Sequence, residues 1–335
     1  MSPMDARPTE RDPLAPPLVD AQSRVMSYLR LSLTDRCNFR CVYCSPASWG
    51  GRSHLLSPEE IGRLVSIFAR MGIRRVRLTG GEPLFRSDIL DIARTIGEVE
   101  GISELCATTN GHQLAELATP LRQAGLRAVN VSLDTLDPVR FAQISGGRGE
   151  LERVVAGIDA ALAAGIEVKL NTVVMKGVNE GDCAALIRFA WERKIVARFI
   201  ECMPFREGKP VPTAELIQLL AADGVPLEPD EAQVGLPRGP ARYYRGTGGS
   251  VGFISPMTQN FCGGCNRVRV AASGELRACL GGREQVPLAA MLRDGSTDAQ
   301  LALAIRGALQ AKPEGHAFND PDAKRALLPM MGIGG

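Results

Sequence analysis

The chain has 335 residues, longer than one average domain and shorter than three, which suggests one large domain with an appendage. Lys and Arg number 39 against 37 Asp and Glu, so a net charge of +2 gives no bulk positive field to grip a nucleic-acid backbone. Hydrophobic residues at 45% and charged ones at 23% exclude wholesale disorder. Apolar stretches such as Ala160 to Ile166 fall short of the ~18 residues that span a bilayer.

Met1–Arg24 holds five prolines, four acids and no apolar core, unlike a signal peptide or an acid-poor presequence. It reads as a flexible N-terminal segment of a soluble, cytoplasmic protein. Short β-branched runs then alternate with amphipathic stretches. The strands expected are Tyr28–Leu33, Arg74–Leu78, Glu104–Thr108, Ala128–Leu133, Glu167–Val174 and Ala197–Cys202. The clearest helix starts at Ser57-Pro58-Glu59-Glu60, where Ser57 caps, Pro58 suits the first turn and Glu60 completes a capping box. Ile61, Leu64, Val65 and Phe68 follow at helical spacing and Gly72 offers a stop. Further helices are expected over Asp88–Val99, Gln113–Ala124, Leu151–Ala164 and Asn179–Arg193.

This rhythm implies parallel strands with right-handed crossovers, in a doubly wound sheet or a partial barrel. In either, polar residues at the carboxyl ends of the strands face the ligand site. After Pro204 the texture changes. Pro and Gly become dense, and strand pairs appear over Arg242–Arg245 with Val251–Ser255 and Arg267–Ala271 with Glu275–Cys279, the latter around Ser273-Gly274. Its register is expected to bring Cys279 near Val268. The divisions expected are 1–24, a barrel over 25–225, and an α+β domain over 226–335.

Six of the nine cysteines fall in two groups: Cys37, Cys41 and Cys44, and Cys262, Cys265 and Cys279. In a reducing compartment such groups bind metal or do chemistry. Thiolates select zinc, Cu(I) or iron–sulfur, and a structural zinc site wants four closed ligands. Three thiolates on a cubic 4Fe–4S cluster leave one iron open to a substrate. Arg267 and Arg269, two apart on a strand, share a face beside the second group and suit a polyanion.

Cys37-x-x-x-Cys41-x-Tyr43-Cys44 with Gly80-Gly81-Glu82-Pro83 resembles the radical S-adenosylmethionine superfamily. That resemblance implies a partial (βα)6, TIM-like barrel. Its cluster binds S-adenosylmethionine through the open iron, and one electron then yields methionine and a 5′-deoxyadenosyl radical. Phe261-Cys262-Gly263-Gly264-Cys265-Asn266-Arg267-Val268-Arg269, with Cys279 and the terminal Gly334-Gly335, is similar to the GTP 3′,8-cyclase family of molybdenum-cofactor biosynthesis. The likeness runs from about residue 25 to the end. It includes Leu29-Arg30-Leu31-Ser32, Thr108-Thr109-Asn110-Gly111, Asn130-Val131-Ser132-Leu133-Asp134 and Arg198-Phe199-Ile200-Glu201-Cys202-Met203.

By that resemblance two 4Fe–4S clusters sit on the two cysteine groups. S-adenosylmethionine is met by Tyr43, Gly81, Ser132 and Met203. GTP is met by Arg30, Arg77, Thr108, Lys169, Arg198, Arg267, Val268 and Arg269, and the second cluster's open iron meets guanine. The radical removes the ribose C3′ hydrogen and C3′ then attacks C8. Arg267, Arg269, Gly334 and Gly335 serve catalysis, the tail by entering the barrel. The partners implied are a reducing electron donor and, through the product, cyclic pyranopterin monophosphate synthase. A monomer and a homodimer both remain open. Three positions depart from the family: Ser45 where Met is common, Arg75 where a phosphate-binding lysine is frequent, and a short Phe205–Thr213 segment. A peptide-modifying radical enzyme and a zinc-stabilised binding module are the alternatives, though the former carries a longer C-terminal cysteine series.

Overall fold

The computed structural model describes residues 12–44, 55–205, 208–231, 239–282 and 284–319. Ser45, Gly334 and Gly335 lie outside them. The strands are β1 (Leu18–Val19), β2 (Val25–Met26), β3 (Tyr28–Ser32), β4 (Arg75–Thr79), β5 (Glu104–Thr109), β6 (Leu126–Ser132), β7 (Glu167–Val174), β8 (Val196–Glu201), β9 (Glu228–Pro229), β10 (Arg242–Gly246), β11 (Gly249–Ile254), β12 (Arg267–Val270), β13 (Glu275–Arg277) and β14 (Val286–Pro287). The helices are α1 (Pro58–Arg70), α2 (Ile89–Gly97), α3 (Leu114–Gln123), α4 (Pro138–Ser145), α5 (Leu151–Ala163), α6 (Cys183–Glu192), α7 (Thr213–Ala222), α8 (Leu288–Arg293) and α9 (Asp298–Gln310). The capping box expected at Ser57 is formed, with Ser57 and Glu60 each accepting from the other's backbone.

Strands β3 to β8 run parallel in sequence order, joined by crossovers, as the strand–helix alternation predicts. The C-terminal segment extends both edges of this sheet. β12 pairs in parallel with β3, and β11 pairs in parallel with β8. The order β14-β13-β12-β3-β4-β5-β6-β7-β8-β11-β10-β9 leaves the barrel open.

Alternation along each strand divides the sheet into two chemistries. Leu29, Leu31, Val76, Leu78, Leu105, Ala107, Val129, Val131, Val168, Leu170, Ala197 and Phe199 are buried in one apolar cluster with Leu64, Phe68, Ile92, Leu121, Ile158 and Leu186 of the helices. The alternate residues, among them Tyr28, Arg30, Arg77, Thr108, Asn130, Lys169, Asn171 and Arg198, face the lumen. A closed TIM barrel fills its lumen with branched apolar side chains. A lumen lined with amides, hydroxyls and guanidiniums is built for a ligand.

Several elements differ from expectation. Residues 12–24 of the N-terminal segment, expected to be flexible, are packed. Leu14 and Leu18 are buried, β1 pairs with β2, and Arg306 of α9 donates to the carbonyls of Pro13 and Ala15. α4, α7, α8 and α9 are additional to the helices expected; α7 lies in the Pro- and Gly-dense stretch, whereas Asp137-Pro138 and the Thr297–Gln300 capping box do mark the starts of α4 and α9. In the β12–β13 hairpin Arg269 faces Arg277 and Val270 faces Leu276, a register that, continued past Arg277, brings Cys279 to the start of β12 beside Val268 as expected. The turn sets this register, since Ala271 N–H donates to Glu275 O at 2.9 Å.

Candidate active site

Cys37, Cys41 and Cys44 lie on the loop that leaves β3 at its carboxyl end. The adjacent Gly80-Gly81 turn makes this loop possible. Gly80 has φ +137°, and a Cβ on Gly80 or Gly81 would run into the carbonyl oxygens of Thr34 or Arg36. Gly81 N–H donates to Thr34 O at 2.7 Å and Glu82 N–H to Arg36 O at 2.8 Å, so the two loops share one short ladder. The Glu82 carboxylate accepts from Leu84 N–H at 3.0 Å, Thr109 Oγ1 at 2.7 Å and Asn110 N–H at 2.6 Å. It thereby ties β4 to β5 beside the cysteine loop. Burial outweighs these donors and pushes Glu82 up to about 7.

Phe39 N–H lies 3.4 Å from Cys37 Sγ and Asn110 Nδ2 3.9 Å from it, two donors aimed at that sulfur. Burial pushes the Cys37 thiol up to about 12 and raises Cys41 well above its ordinary value. These sulfurs ionise readily only with a metal in the proton's place. Tyr43 OH donates to Asp134 Oδ2 at 2.9 Å, and Val173 N–H donates to Asp134 Oδ1 at 2.8 Å. Asp134, pushed up to about 6 by burial, thus fixes Tyr43 against the ends of β6 and β7.

Deeper in the lumen, parallel register sets Arg269 of β12 beside Arg30 of β3, and Arg30 beside Arg77 of β4. Neighbouring strands are about 4.8 Å apart, so three guanidinium-bearing residues stand in one row on one face. Arg77 and Arg269 are buried. Burial, and then the charges of Arg77 and Arg267 against the help of Tyr28, lowers Arg30 to about 10. Burial, Arg30 and Arg267 push Arg269 well below its ordinary value. Arg77 is steered by Tyr28 OH and by the Ala107 carbonyl at 2.7 Å. Across the lumen, Arg198 donates to Asn171 Oδ1 at 2.7 Å. Arg198 Nε and Thr108 Oγ1 are buried with no hydrogen-bond partner among the described residues.

The second cysteine group lies where β12 begins. Cys262 and Cys265 bracket a turn of 3-10 helix closed by Cys265 N–H to Cys262 O at 3.1 Å, and Cys279 follows β13. Burial opposes ionisation of Cys265, but the nearby Arg267 and Lys312 outweigh it and bring the thiol down to about 7. Arg267 stacks over Phe261 at 4.9 Å.

Among the described residues, no three His, Cys, Asp or Glu side chains converge on a single-ion position. Two all-thiol groups of three, with donors or cations beside the sulfurs, have the donor chemistry of iron–sulfur ligation.

The Radical SAM superfamily matches residues 31–190, and Molybdenum Cofactor Synthesis C matches residues 195–318. The GTP 3′,8-cyclase of Agrobacterium fabrum is 45% identical over 314 residues, which cover 90% of this chain and 89% of that protein. The GTP 3′,8-cyclase of Erythrobacter litoralis is 44% identical over 322 residues, covering 93% and 96%. This chain belongs to the GTP 3′,8-cyclase family. Among solved structures, Streptococcus suis SuiB bound to S-adenosylmethionine has the same fold, with TM-score 0.62 at 17% identity over 88% of this chain and 74% of that one.

Seen as a GTP 3′,8-cyclase family member, the chain brings most of the expected site residues to one lumen. Tyr43, Gly81, Ser132 and Met203 lie at or just beyond the carboxyl ends of the strands. The cationic residues lie below the polar strand ends, inside the strands. Arg30, Arg77, Lys169 and Arg198 are in mid-strand, because only interior alternate positions reach the lumen below the loops. Val268 turns its side chain into the apolar cluster, on the opposite face from Arg267 and Arg269, which leaves only its backbone for a ligand. Lys169 is paired with Glu167 at 2.5 Å, and Arg75 with Glu104 at 2.5 Å. Sequence reasoning missed Arg24, Asp134 and Lys312 as organisers of the site. Asp134 stood inside a recognised run, but Arg24 and Lys312 are lone charges in loops, and no local pattern marks them.

Proposed function

We propose that this chain converts GTP to (8S)-3′,8-cyclo-7,8-dihydroguanosine 5′-triphosphate, the first step of molybdenum-cofactor biosynthesis, with S-adenosylmethionine as cosubstrate and two 4Fe–4S clusters. The row of Arg269, Arg30 and Arg77 carries this reading. Two buried cations with a half-buried third between them are costly to hold side by side, and a triphosphate supplies several negative oxygens at that spacing.

Cys37, Cys41 and Cys44 would hold the first cluster, whose chemistry when bound would be one-electron cleavage of the S-adenosylmethionine sulfonium to methionine and a 5′-deoxyadenosyl radical. Gly81 lets the cosubstrate approach the backbone, Tyr43 walls the site from a position fixed by Asp134, and Ser132 and Met203 complete it from β6 and β8. Cys262, Cys265 and Cys279 hold the second cluster at the guanine end. Arg30, Arg77, Arg198, Arg267 and Arg269 bind and orient the nucleotide between the two, with Thr108 as a hydroxyl partner. Lys169 joins them by exchanging Glu167 for an anionic oxygen. Orienting ribose C3′ toward the adenosyl carbon, and guanine C8 toward C3′, is the residues' main contribution to rate.

Gly334 and Gly335 lie outside the described residues, and their part in cyclisation rests on the family resemblance. A low-potential electron donor would supply two electrons per turnover, one for cleavage of the sulfonium and one, with a proton, to quench the cyclised nucleotide radical, and the product would pass to cyclic pyranopterin monophosphate synthase. Among the described residues no helix is long and apolar enough to cross a membrane. The test is anaerobic incubation with GTP, S-adenosylmethionine and dithionite. Mass analysis is expected to find a cyclised nucleotide isobaric with GTP and one 5′-deoxyadenosine per product. 5′-Deoxyadenosine without that nucleotide would point to another substrate.

A further inference from the structure

Two buried cations that touch neither lumen nor cosubstrate loop converge on the second cysteine group. Lys312 follows α9, is almost wholly enclosed, and spends its three N–H donors on Arg267 O at 2.5 Å, Ala278 O at 2.8 Å and Met26 Sδ at 3.6 Å. Arg267 is two residues past Cys265 and Ala278 immediately precedes Cys279, so one ammonium ties together the arms bearing two of the three sulfurs. The next two residues belong to the other cation. Arg24 Nη1 donates to Cys262 O and Glu314 O, both at 2.8 Å, while Nη2 donates to Pro313 O at 2.8 Å and Gln22 Oε1 at 2.9 Å. Its Nε is paired with buried Asp20 at 2.6 Å. All five guanidinium donors are thereby used. Residues 312–314 become a joint through which Cys262, Cys265 and Cys279 are fixed to one another and to the N-terminal segment.

We propose that Lys312 and Arg24 are positioning residues of the second cysteine centre, Lys312 also supplying the fixed positive charge beside the cluster bound there. The proposal rests on reading Cys262, Cys265 and Cys279 as cluster ligands. Outer residues that orient ligands and donate charge set the retention and the reduction potential of a metal centre. A cation next to an anionic cluster favours the reduced form, which carries one more negative charge. Removing it lowers the potential.

The experiment compares reconstituted wild-type protein with Lys312→Gln, Lys312→Arg and Lys312→Met. The readouts are iron and sulfide content and an EPR-monitored redox titration without GTP. Gln keeps an amide that can donate to both carbonyls but has no charge. It is expected to retain about eight irons per chain while one of the two midpoints moves to lower potential. Met keeps the length but loses charge and donors, and is expected to lose about half the iron. Arg, which keeps the charge, is expected to restore the midpoint that Gln lowers. 5′-Deoxyadenosine release from the first centre stays within about twofold in all three, which separates a local effect from failure to fold. Full iron and an unshifted midpoint in Lys312→Met would overturn the proposal. Wild-type protein that takes up only about four irons would instead overturn the ligand reading beneath it.

Discussion

Arg269 of β12 lies directly across from Arg30 of β3, in parallel register, although 239 residues separate them in the chain. The C-terminal segment therefore completes the lumen of the barrel with its own strand and its own guanidinium. Burial first, and then the charge of Arg30, pushes the Arg269 guanidinium well below its ordinary value. Arg269→Met is therefore expected to raise the thermal midpoint of the nucleotide-free protein by about 1–3 °C, since it removes a buried like charge. The same change is expected to weaken GTP roughly 10- to 100-fold, about 1.5–3 kcal/mol for a charge-assisted contact. Calorimetry of both quantities at unchanged iron content checks it. Stability and affinity falling together would mean that Arg269 is a structural residue.

The two cysteine groups are expected to fail separately. Cys41→Ala takes a sulfur from the first loop and should abolish reductive cleavage of S-adenosylmethionine. Cys279→Ala should lose the iron of the second centre and the cyclised product while 5′-deoxyadenosine still forms. Iron content and 5′-deoxyadenosine, measured on both variants, distinguish two independent centres from one shared by six thiols.

How far the site was legible follows from where its information resides. The turn at Gly80-Gly81-Glu82-Pro83 and the spacing of Cys37, Cys41 and Cys44 are local, so sequence alone placed them. The apolar alternation of β3 to β8 is local too, and it gave the strands to within about two residues. The row Arg269–Arg30–Arg77 is not local. It exists because β12 adds to the edge of β3, and the hydrophobic pattern of Arg267–Val270 says strand without saying beside which neighbour. Arg24 and Lys312 were invisible for a related reason: what ties them to the second cysteine group is backbone carbonyls, which every residue has. The helix at Thr213–Ala222 was hidden by the prolines at 210 and 212, which mark its entry and not an absence of structure.

Glu82 gives the fold a pH dependence of definite sign. Burial lifts its carboxyl from 4.5 to about 7. A group raised in the folded state contributes stability that is present below its unfolded pKa and is lost as pH rises through the folded one. Metal-free wild-type protein is therefore expected to lose thermal stability between about pH 5 and 8. Glu82→Gln, which cannot titrate, should show a shallower decline over the same range. It should not be flat, because Asp134 is raised to about 6 by the same cause. Below about pH 7 the folded carboxyl is protonated and, like Gln, offers one acceptor oxygen, so the variant should lie close to wild type in stability at the acid end. A decline as steep as that of wild type would assign the dependence to other groups.

The final expectation concerns Gly334 and Gly335. Chain ends ordinarily tolerate truncation, and nothing in a Gly-Gly pair can pack a core or carry charge. Its use lies elsewhere: with no side chains it can occupy a narrow space and take backbone angles that other residues avoid. The residues before it, Met330, Met331 and Ile333, are too apolar for a solvated tail. Upstream, Arg24 holds the carbonyls of Pro313 and Glu314 beside Cys262. Deleting the two glycines leaves that anchor intact. The truncated protein is expected to keep both centres, its GTP affinity and its thermal midpoint, to cleave S-adenosylmethionine, and yet to form no cyclised nucleotide. A tag fused after Gly335 should impair cyclisation for the same steric reason. Cyclised nucleotide from the truncated protein at the wild-type rate would show that catalysis does not use the tail.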